Sequence, residues 1–221
     1  MAIAGQLRPR PLPYSTGPNG DNYPERRLAT FDVAGDPLAD VPWPTSLNSV
    51  SPLVTDRVDR TRNVVFSENS KTNQFYINGK QFNATHVTYV AKLGTTEEWV
   101  IKNTAREEHP FHIHVNDFQI MAVNGKPYQA RGEQDVVPLP SGGEVRIRMH
   151  FNRFVGTTVF HCHILAHEDN GMIGIIDISR SGRLSKATIK SLEEMNKAMP
   201  REHSTAGDGA HGGHTAKMPL R

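Results

Sequence analysis

Two clusters of metal-ligating side chains, far apart along the chain, constrain this sequence more than any other feature. The first reads His109-Pro-Phe-His112-Ile-His114, the second His161-Cys162-His163-Ile-Leu-Ala-His167-Glu168-Asp-Asn-Gly-Met172. Together they hold the only cysteine and six of the eleven histidines. The sequence between them is β-like. Its cleanest segment is Glu144 to Phe151, where Val145, Ile147, Met149 and Phe151 fall on one face and Glu144, Arg146, Arg148 and His150 on the other. That alternation marks a half-buried antiparallel strand.

Strand geometry gives the second cluster a consequence. Successive side chains point to opposite faces, so across 157–163 (Thr-Thr-Val-Phe-His-Cys-His) Cys162 projects one way while His161 and His163 project the other. One strand end thus addresses two metal sites. Two imidazoles, one thiolate and a weak axial thioether describe a blue-copper electron-transfer site, and the remaining histidines are surplus to it. A lone His-x-His can be two exposed histidines on one strand face, but the second cluster makes that reading untenable for the pair. Zinc competes for any Cys/His group, yet structural zinc sites favour four ligands with paired cysteines. One cysteine among histidines and a methionine fits copper better.

Strand signals recur from Asn63 onward: Val64-Val-Phe66, Phe75-Tyr-Ile77, Trp99-Val-Ile101, and Phe118 to Val123. Asn78-Gly79 and Asn124-Gly125 follow two of them as turn signals, the first a type I′ hairpin. Several short strands with turns between them predict a β-sandwich. Residues 1–60 are rich in proline and turn residues and offer little that builds a sheet; Arg27-Leu-Ala-Thr-Phe-Asp-Val33 is one plausible strand, and one strand forms no domain. After Ile178, the spacing of Leu184, Ala187, Thr188, Leu192, Met195 and Met199 predicts a short amphipathic helix within 181–200, packed on the sandwich or a neighbouring domain, its methionines filling apolar gaps. Residues 201–221, with His203, His211 and His214 among glycines, read as a disordered tail.

Composition excludes some partners. The chain of 221 residues has a formal charge of +2 and no basic stripe, which argues against nucleic acid. No apolar run approaches the 18 or so residues of a membrane helix. A single cysteine forms no intrachain disulfide, so it does not report a redox compartment. His86 and His150 read as surface histidines, and Tyr89, Trp99 and Phe111 as packing aromatics, Phe111 being placed between ligands where it would shield them.

The two clusters, with Phe75-Tyr-Ile-Asn-Gly-Lys80 and Gly94-Thr-Thr-Glu-Glu-Trp99 ahead of them, resemble the copper motifs of the multicopper oxidases, the laccase-like family, over about residues 61–180. The resemblance implies an all-β, cupredoxin-like Greek-key β-sandwich, with an N-terminal linker and a short C-terminal helix. In such a sandwich strand ends and the loop 164–171 converge at one end. It implies that His109, Cys162, His167 and Met172 ligate a type 1 copper, His112 a type 2 copper, and His114, His161 and His163 the type 3 pair. It favours Glu168 as a general acid supplying protons for oxygen reduction, against the alternative of an exposed loop carboxylate. Asp135 and Asp169 rank below it, as carboxylates that orient imidazoles. Residues 1–60 become a linker and the remnant of a preceding domain, with Arg27 to Val33 as that domain's closing strand.

One departure from the family bears on function. This chain supplies half of a trinuclear cluster's histidines; the other half normally comes from two His-x-His motifs in an N-terminal cupredoxin domain, and none precedes His109. The expected function is a laccase-like oxidase component: type 1 copper accepts single electrons from a small-molecule or metal-ion reductant and passes them to a cluster that reduces dioxygen to water. An N-terminal domain or a second chain would complete that cluster. The alternative is a standalone blue-copper electron-transfer or copper-binding module without oxygen chemistry. A nitrite-reductase-like assembly with copper between subunits is disfavoured, because His161 and His163 flank Cys162 on both sides. Phenols, aromatic amines, Cu(I) and Fe(II) stay open as reductants. The family implies a secreted or periplasmic protein, although residues 1–7 lack the pattern of a signal peptide.

Overall fold

Alternating sequence becomes facing sheets because each strand has one apolar side to hide. The computed structural model describes residues 5–7, 11–35, 42, 44, 45 and 51–198. Its strands are β1 Gly5–Leu7, β2 Tyr14–Ser15, β3 Asn22–Tyr23, β4 Phe31–Val33, β5 Arg60–Asn69, β6 Gln74–Ile77, β7 Tyr89–Lys92, β8 Thr95–Asn103, β9 His109–Ile113, β10 Phe118–Val123, β11 Lys126–Pro127, β12 Val136–Leu139, β13 Glu144–Phe151, β14 Gly156–Cys162 and β15 Ile173–Ser179. Among the described residues two α-helices, α1 Leu165–Asp169 and α2 Lys186–Ala198, and a 3-10 turn, Leu53–Thr55, complete it.

One sheet runs β11-β10-β13-β8-β5-β6 and the other β12-β9-β14-β15-β7. Neighbours are antiparallel except β5 with β8 and β7 with β15. The non-consecutive order makes this the expected Greek-key sandwich. Between the sheets Phe66, Trp99, Phe111, Phe118, Met149 and Phe160 are fully buried. Trp99 meets Tyr89, Phe111 and Phe160 edge-on, at ring-centroid distances of 5.2, 6.4 and 5.3 Å. Burying each such side chain stabilises the fold by about 1.5–3 kcal/mol.

Local signals reappear as expected. β10 and β13 have the expected bounds, and Val145, Ile147, Met149 and Phe151 are the buried face of β13. After β6 the turn is a tight hairpin: Ile77 and Lys80 exchange backbone hydrogen bonds of 2.9 and 3.1 Å, and Asn78 and Gly79 both have positive φ, as a type I′ turn requires.

The first sixty residues carry more order than their composition predicts. The expected strand shortens to β4 and pairs antiparallel with β1, while β2 and β3 form a second hairpin. Near position 53 the chain is pinned to the six-stranded sheet. Leu53 is buried, its N–H is donated to Gln119 Oε1 at 2.9 Å, and Arg148 donates to its carbonyl at 2.8 Å. These segments are too short to show periodicity, so only their tertiary partners reveal them.

Helix α2 lies inside the predicted range, but its anchoring differs from the expected apolar packing. Ser185 Oγ accepts the N–H of Thr188 at 3.0 Å, an N-cap, and buried Asp177 accepts from Ser185 N and Thr188 Oγ1 at 2.8 and 2.6 Å. Leu184, Ile189 and Met195 remain exposed. Met199 and the tail expected to be disordered, 201–221, lie outside the described residues. No described helix is long and apolar enough to cross a membrane.

Candidate metal centres

Strands β9 and β14 lie side by side, with Cys162 opposite Phe111 and His161 opposite His112. The pleat therefore turns His109, Phe111, Ile113, Phe160 and Cys162 into the core, and His112 and His161 to the outer side of the five-stranded sheet. The turn before β9 is held by Asn103, which donates to the carbonyl of Glu107 at 2.7 Å and accepts the N–H of Ala105 at 2.9 Å. Phe111 lies among Phe66, Phe118 and Phe160 in the core. It therefore supports the site from beneath instead of shielding it between the ligands, because it shares the inward face of its strand.

Three donor atoms converge on the core side. Cys162 Sγ is 3.7 Å from His109 Nδ1 and 3.6 Å from His167 Nδ1, and the two nitrogens are 3.1 Å apart. A point inside this triangle lies about 2 Å from each corner, the length of a metal–nitrogen bond. His167 is carried by α1, so the segment 164–171 is a single helical turn where a plain loop was expected: the carbonyl of Ile164 accepts the N–H groups of His167 and Glu168 at 2.9 and 3.0 Å. Met172 is fully buried, donates its N–H to the His167 carbonyl and accepts that of Cys162, at 3.0 and 3.1 Å. Phe75 of β6 stacks on the His167 ring at 4.1 Å.

Burial works against every charged form here. It pulls His109 down to about 3, with the His167 charge adding to the effect, and it also lowers His167. The Cys162 thiol is pushed up to about 12 by the same cause. Without metal, the site thus holds neutral imidazoles with free lone pairs and a thiol that a bound cation must deprotonate. A buried Cys–His–His donor set of this kind suits copper.

On the outer face, His112, His114 and His161 offer nitrogens that lie within 4.8 Å of one another. His114 Nε2 and His161 Nε2 are 3.1 Å apart, and the His163 ring is 5.1 Å from that of His112. His112 Nδ1 donates to the backbone carbonyl of Asp135 at 2.9 Å, and His161 Nδ1 to that of Cys162 at 2.9 Å. A carbonyl only accepts, so these bonds leave both Nε2 lone pairs free for a metal. Asp135 thus orients His112 through its backbone, its carboxylate standing 3.9 Å away, whereas Asp169 is exposed. Glu168 Oε2 lies 3.1 Å from His161 Nδ1. His86 is exposed as expected, but His150 bridges Asp56 and Thr96 at 2.8 and 2.9 Å and is a structural link.

Sequence reasoning missed the groups behind the core-side imidazoles. Glu68 Oε2 is 3.5 Å from His109 Nε2 and Glu107 Oε1 is 3.6 Å from His167 Nε2. Burial, with Glu68 alongside, pushes the Glu107 carboxyl up to about 8. The β2–β3 hairpin covers it: Thr16 Oγ1 donates to Glu107 Oε2 at 3.3 Å, and Glu108 N donates to the Thr16 carbonyl at 2.6 Å. Glu107 stands two residues before His109, so strand period alone could have flagged it. Nothing local marks Glu68, Phe75 or the hairpin.

The sequence profile of the multicopper oxidases matches residues 55–181. The chain belongs to this family. It is 40% identical over 110 residues to the multicopper oxidase mco of Staphylococcus aureus, covering 47% of this chain and 24% of that protein. It is similar in structure to a laccase from Pediococcus acidilactici, with a TM-score of 0.60 and 29% identity over 69% of this chain and 34% of that one. McoA multicopper oxidase (2F4 variant) of Aquifex aeolicus shares the fold, with a TM-score of 0.66 and 24% identity over 80% and 42% of the two chains. The chain covers 24% of the length of the staphylococcal mco oxidases it matches, about a quarter.

Proposed function

We propose that this chain carries the electron-accepting copper site and half of the oxygen-reducing cluster of a laccase-like multicopper oxidase. The observation that supports it most is the end of β14, which turns Cys162 into a buried Cys–His–His triangle and His161 into a group of histidines on the opposite face. His109, Cys162 and His167, together with the Met172 thioether, would hold a type 1 copper. His112 would hold type 2 copper, and His114, His161 and His163 the type 3 pair. Copper in these sites would take single electrons from a small-molecule or metal-ion reductant and deliver them to dioxygen, giving water.

The chain's own residues account for the rest. Cys162 is bonded directly to both His161 and His163, so an electron leaving its sulfur has a covalent path into either imidazole, with the His161 Nδ1 to Cys162 carbonyl bond as a shortcut. Burial around Cys162 excludes water from the thiolate. Glu168, partly exposed, can take a proton from solvent and hold it at Oε2 beside His161, the place where oxygen reduction consumes protons. His114 and His163 are exposed, which leaves the outer face open to the histidines of an N-terminal cupredoxin domain or a second chain.

The test is spectroscopic. Loaded with copper, the full chain should show the intense blue charge-transfer band of a Cu(II)–thiolate, and Cys162→Ser should abolish it. A colourless copper-loaded chain, or a band that survives the substitution, would overturn the assignment.

A further inference from the structure

Beside the turn that carries Met172, the chain after β6 folds over a cavity of about 180 Å³. Its floor is apolar: Ile77 is buried, Ile173 is half-buried, and Phe82 stands at the rim with 40% of its surface exposed. Backbone bonds hold the wall in place, Phe82 N donating to the Gly171 carbonyl at 2.9 Å and Thr88 N to that of Ile175 at 2.8 Å. Every side-chain carbonyl on that wall is already accepting: Asn78 Oδ1 from Val65 N at 2.8 Å, Gln81 Oε1 from Gln74 at 3.4 Å, and Asn83 Oδ1 from Thr85 N at 2.8 Å. What stays unpaired are donors. Asn83 Nδ2 has no partner, and among the described residues no carboxylate pairs with Lys80 or His86. Lys80 Nζ stands 3.4 Å from His86 Nε2. An ammonium can only donate, so this contact puts the proton of the neutral imidazole on Nδ1, a further free donor.

We propose that this cavity binds a small organic carboxylate, its anionic end among Lys80, Asn83 and His86 and its apolar body on Ile77, Phe82 and Ile173. A surplus of donors beside one fixed positive charge calls for an anion. The apolar floor calls for a carbon skeleton behind it. Inorganic phosphate would satisfy the donors and leave the floor wet, whereas a neutral amide would cover the floor and leave the charge unmatched. The volume limits the ligand to about one ring or a short chain. None of the proposed copper donors lines the cavity, so the site stands independently of the copper assignment. It is nevertheless tied to the copper-side turn, because Ile173 follows Met172 directly and the Phe82 N–H bonds to Gly171. Binding breaks no covalent bond and moves no electron.

Benzoate is the probe, because it carries one carboxylate on one ring and has no ring hydroxyl to be oxidised. Titrated calorimetrically into the full chain near neutral pH, it should bind at one site, with the same affinity with and without copper. Lys80→Gln should weaken binding about tenfold, the loss of one charge-assisted hydrogen bond, and adding His86→Phe should abolish it. Lys80 and His86 are both exposed, so the urea midpoint of the variants should match the wild type, which reports that they fold. Benzamide and inorganic phosphate should each bind at least about tenfold more weakly than benzoate. In the wild type, benzoate should move the NMR signals of the His86 imidazole and the Asn83 side-chain amide before those of His112 and His163, a measurement that needs no substitution. Binding unchanged in the double variant, binding seen only with copper, no binding by the wild type, or the reverse order of signal movement overturns the site. Phosphate or benzamide binding as tightly as benzoate overturns the ligand class. Should a variant unfold more easily, the order of signal movement in the wild type still decides.

Discussion

Burial sets the protonation of the core-side donors, and that makes the metal-free chain sensitive to acid. His109 has a folded value of about 3 against 6.5 unfolded, so between those values the unfolded chain binds more protons and stability falls as pH falls. His167 is shifted the same way. Glu107 works in the opposite sense: at about 8 against 4.5, its folded form keeps a proton, and its contribution is lost as pH rises from 4.5 to 8. The two effects oppose each other between pH 4.5 and 6.5, and below 4.5 the histidines act alone. Two histidines oppose one carboxyl, so the urea midpoint of the metal-free chain should fall gently with acid across the upper interval and more steeply below it; a midpoint that rises as the pH falls below 4.5 contradicts the burial argument. Met172 allows a second check. Leu replaces Met at a cost of about 1.5 kcal/mol or less, so Met172→Leu should keep the blue band while raising the reduction potential, through loss of a weak donor. An unchanged potential in a redox titration removes Met172 from the ligand set.

The element that carries His163, His167 and Met172 is the turn from β14 through α1 to β15. Gly171 closes it with φ +116, and a Cβ there would stand 2.8 Å from the Phe75 carbonyl. Gly171→Ala should cost about 1–3 kcal/mol in urea unfolding and shift the blue band, because displacing Phe75 disturbs the ring stacked on His167. Wild-type stability in that variant would show that the turn has room to spare. Strand β13 was legible from sequence because its alternation is local and unbroken. Helix α1 was not, since five residues cannot display helical period. Helix α2 was legible, but its attachment through Asp177 and Thr188 was not. A polar anchor leaves no mark in an apolar pattern.

Taken whole, the molecule presents an open histidine face and a closed cysteine core. Alone, the chain should accept electrons and consume oxygen negligibly; mixed with a chain bearing two His-x-His motifs, it should gain oxidase activity. An oxygen electrode decides this, and rapid turnover by the isolated monomeric chain would show that no second set of histidines is needed. The sidedness behind this prediction was already written in residues 161–163, because alternation along a strand follows from covalent geometry and needs no partner. The sandwich was legible for the same reason, strand by strand. Tertiary structure alone brought Glu68 from β5 behind His109, Phe75 from β6 onto His167, and the 14–23 hairpin over Glu107. Those contacts join segments up to 91 positions apart. Whether such segments meet depends on how the sheets pack, which no local pattern encodes.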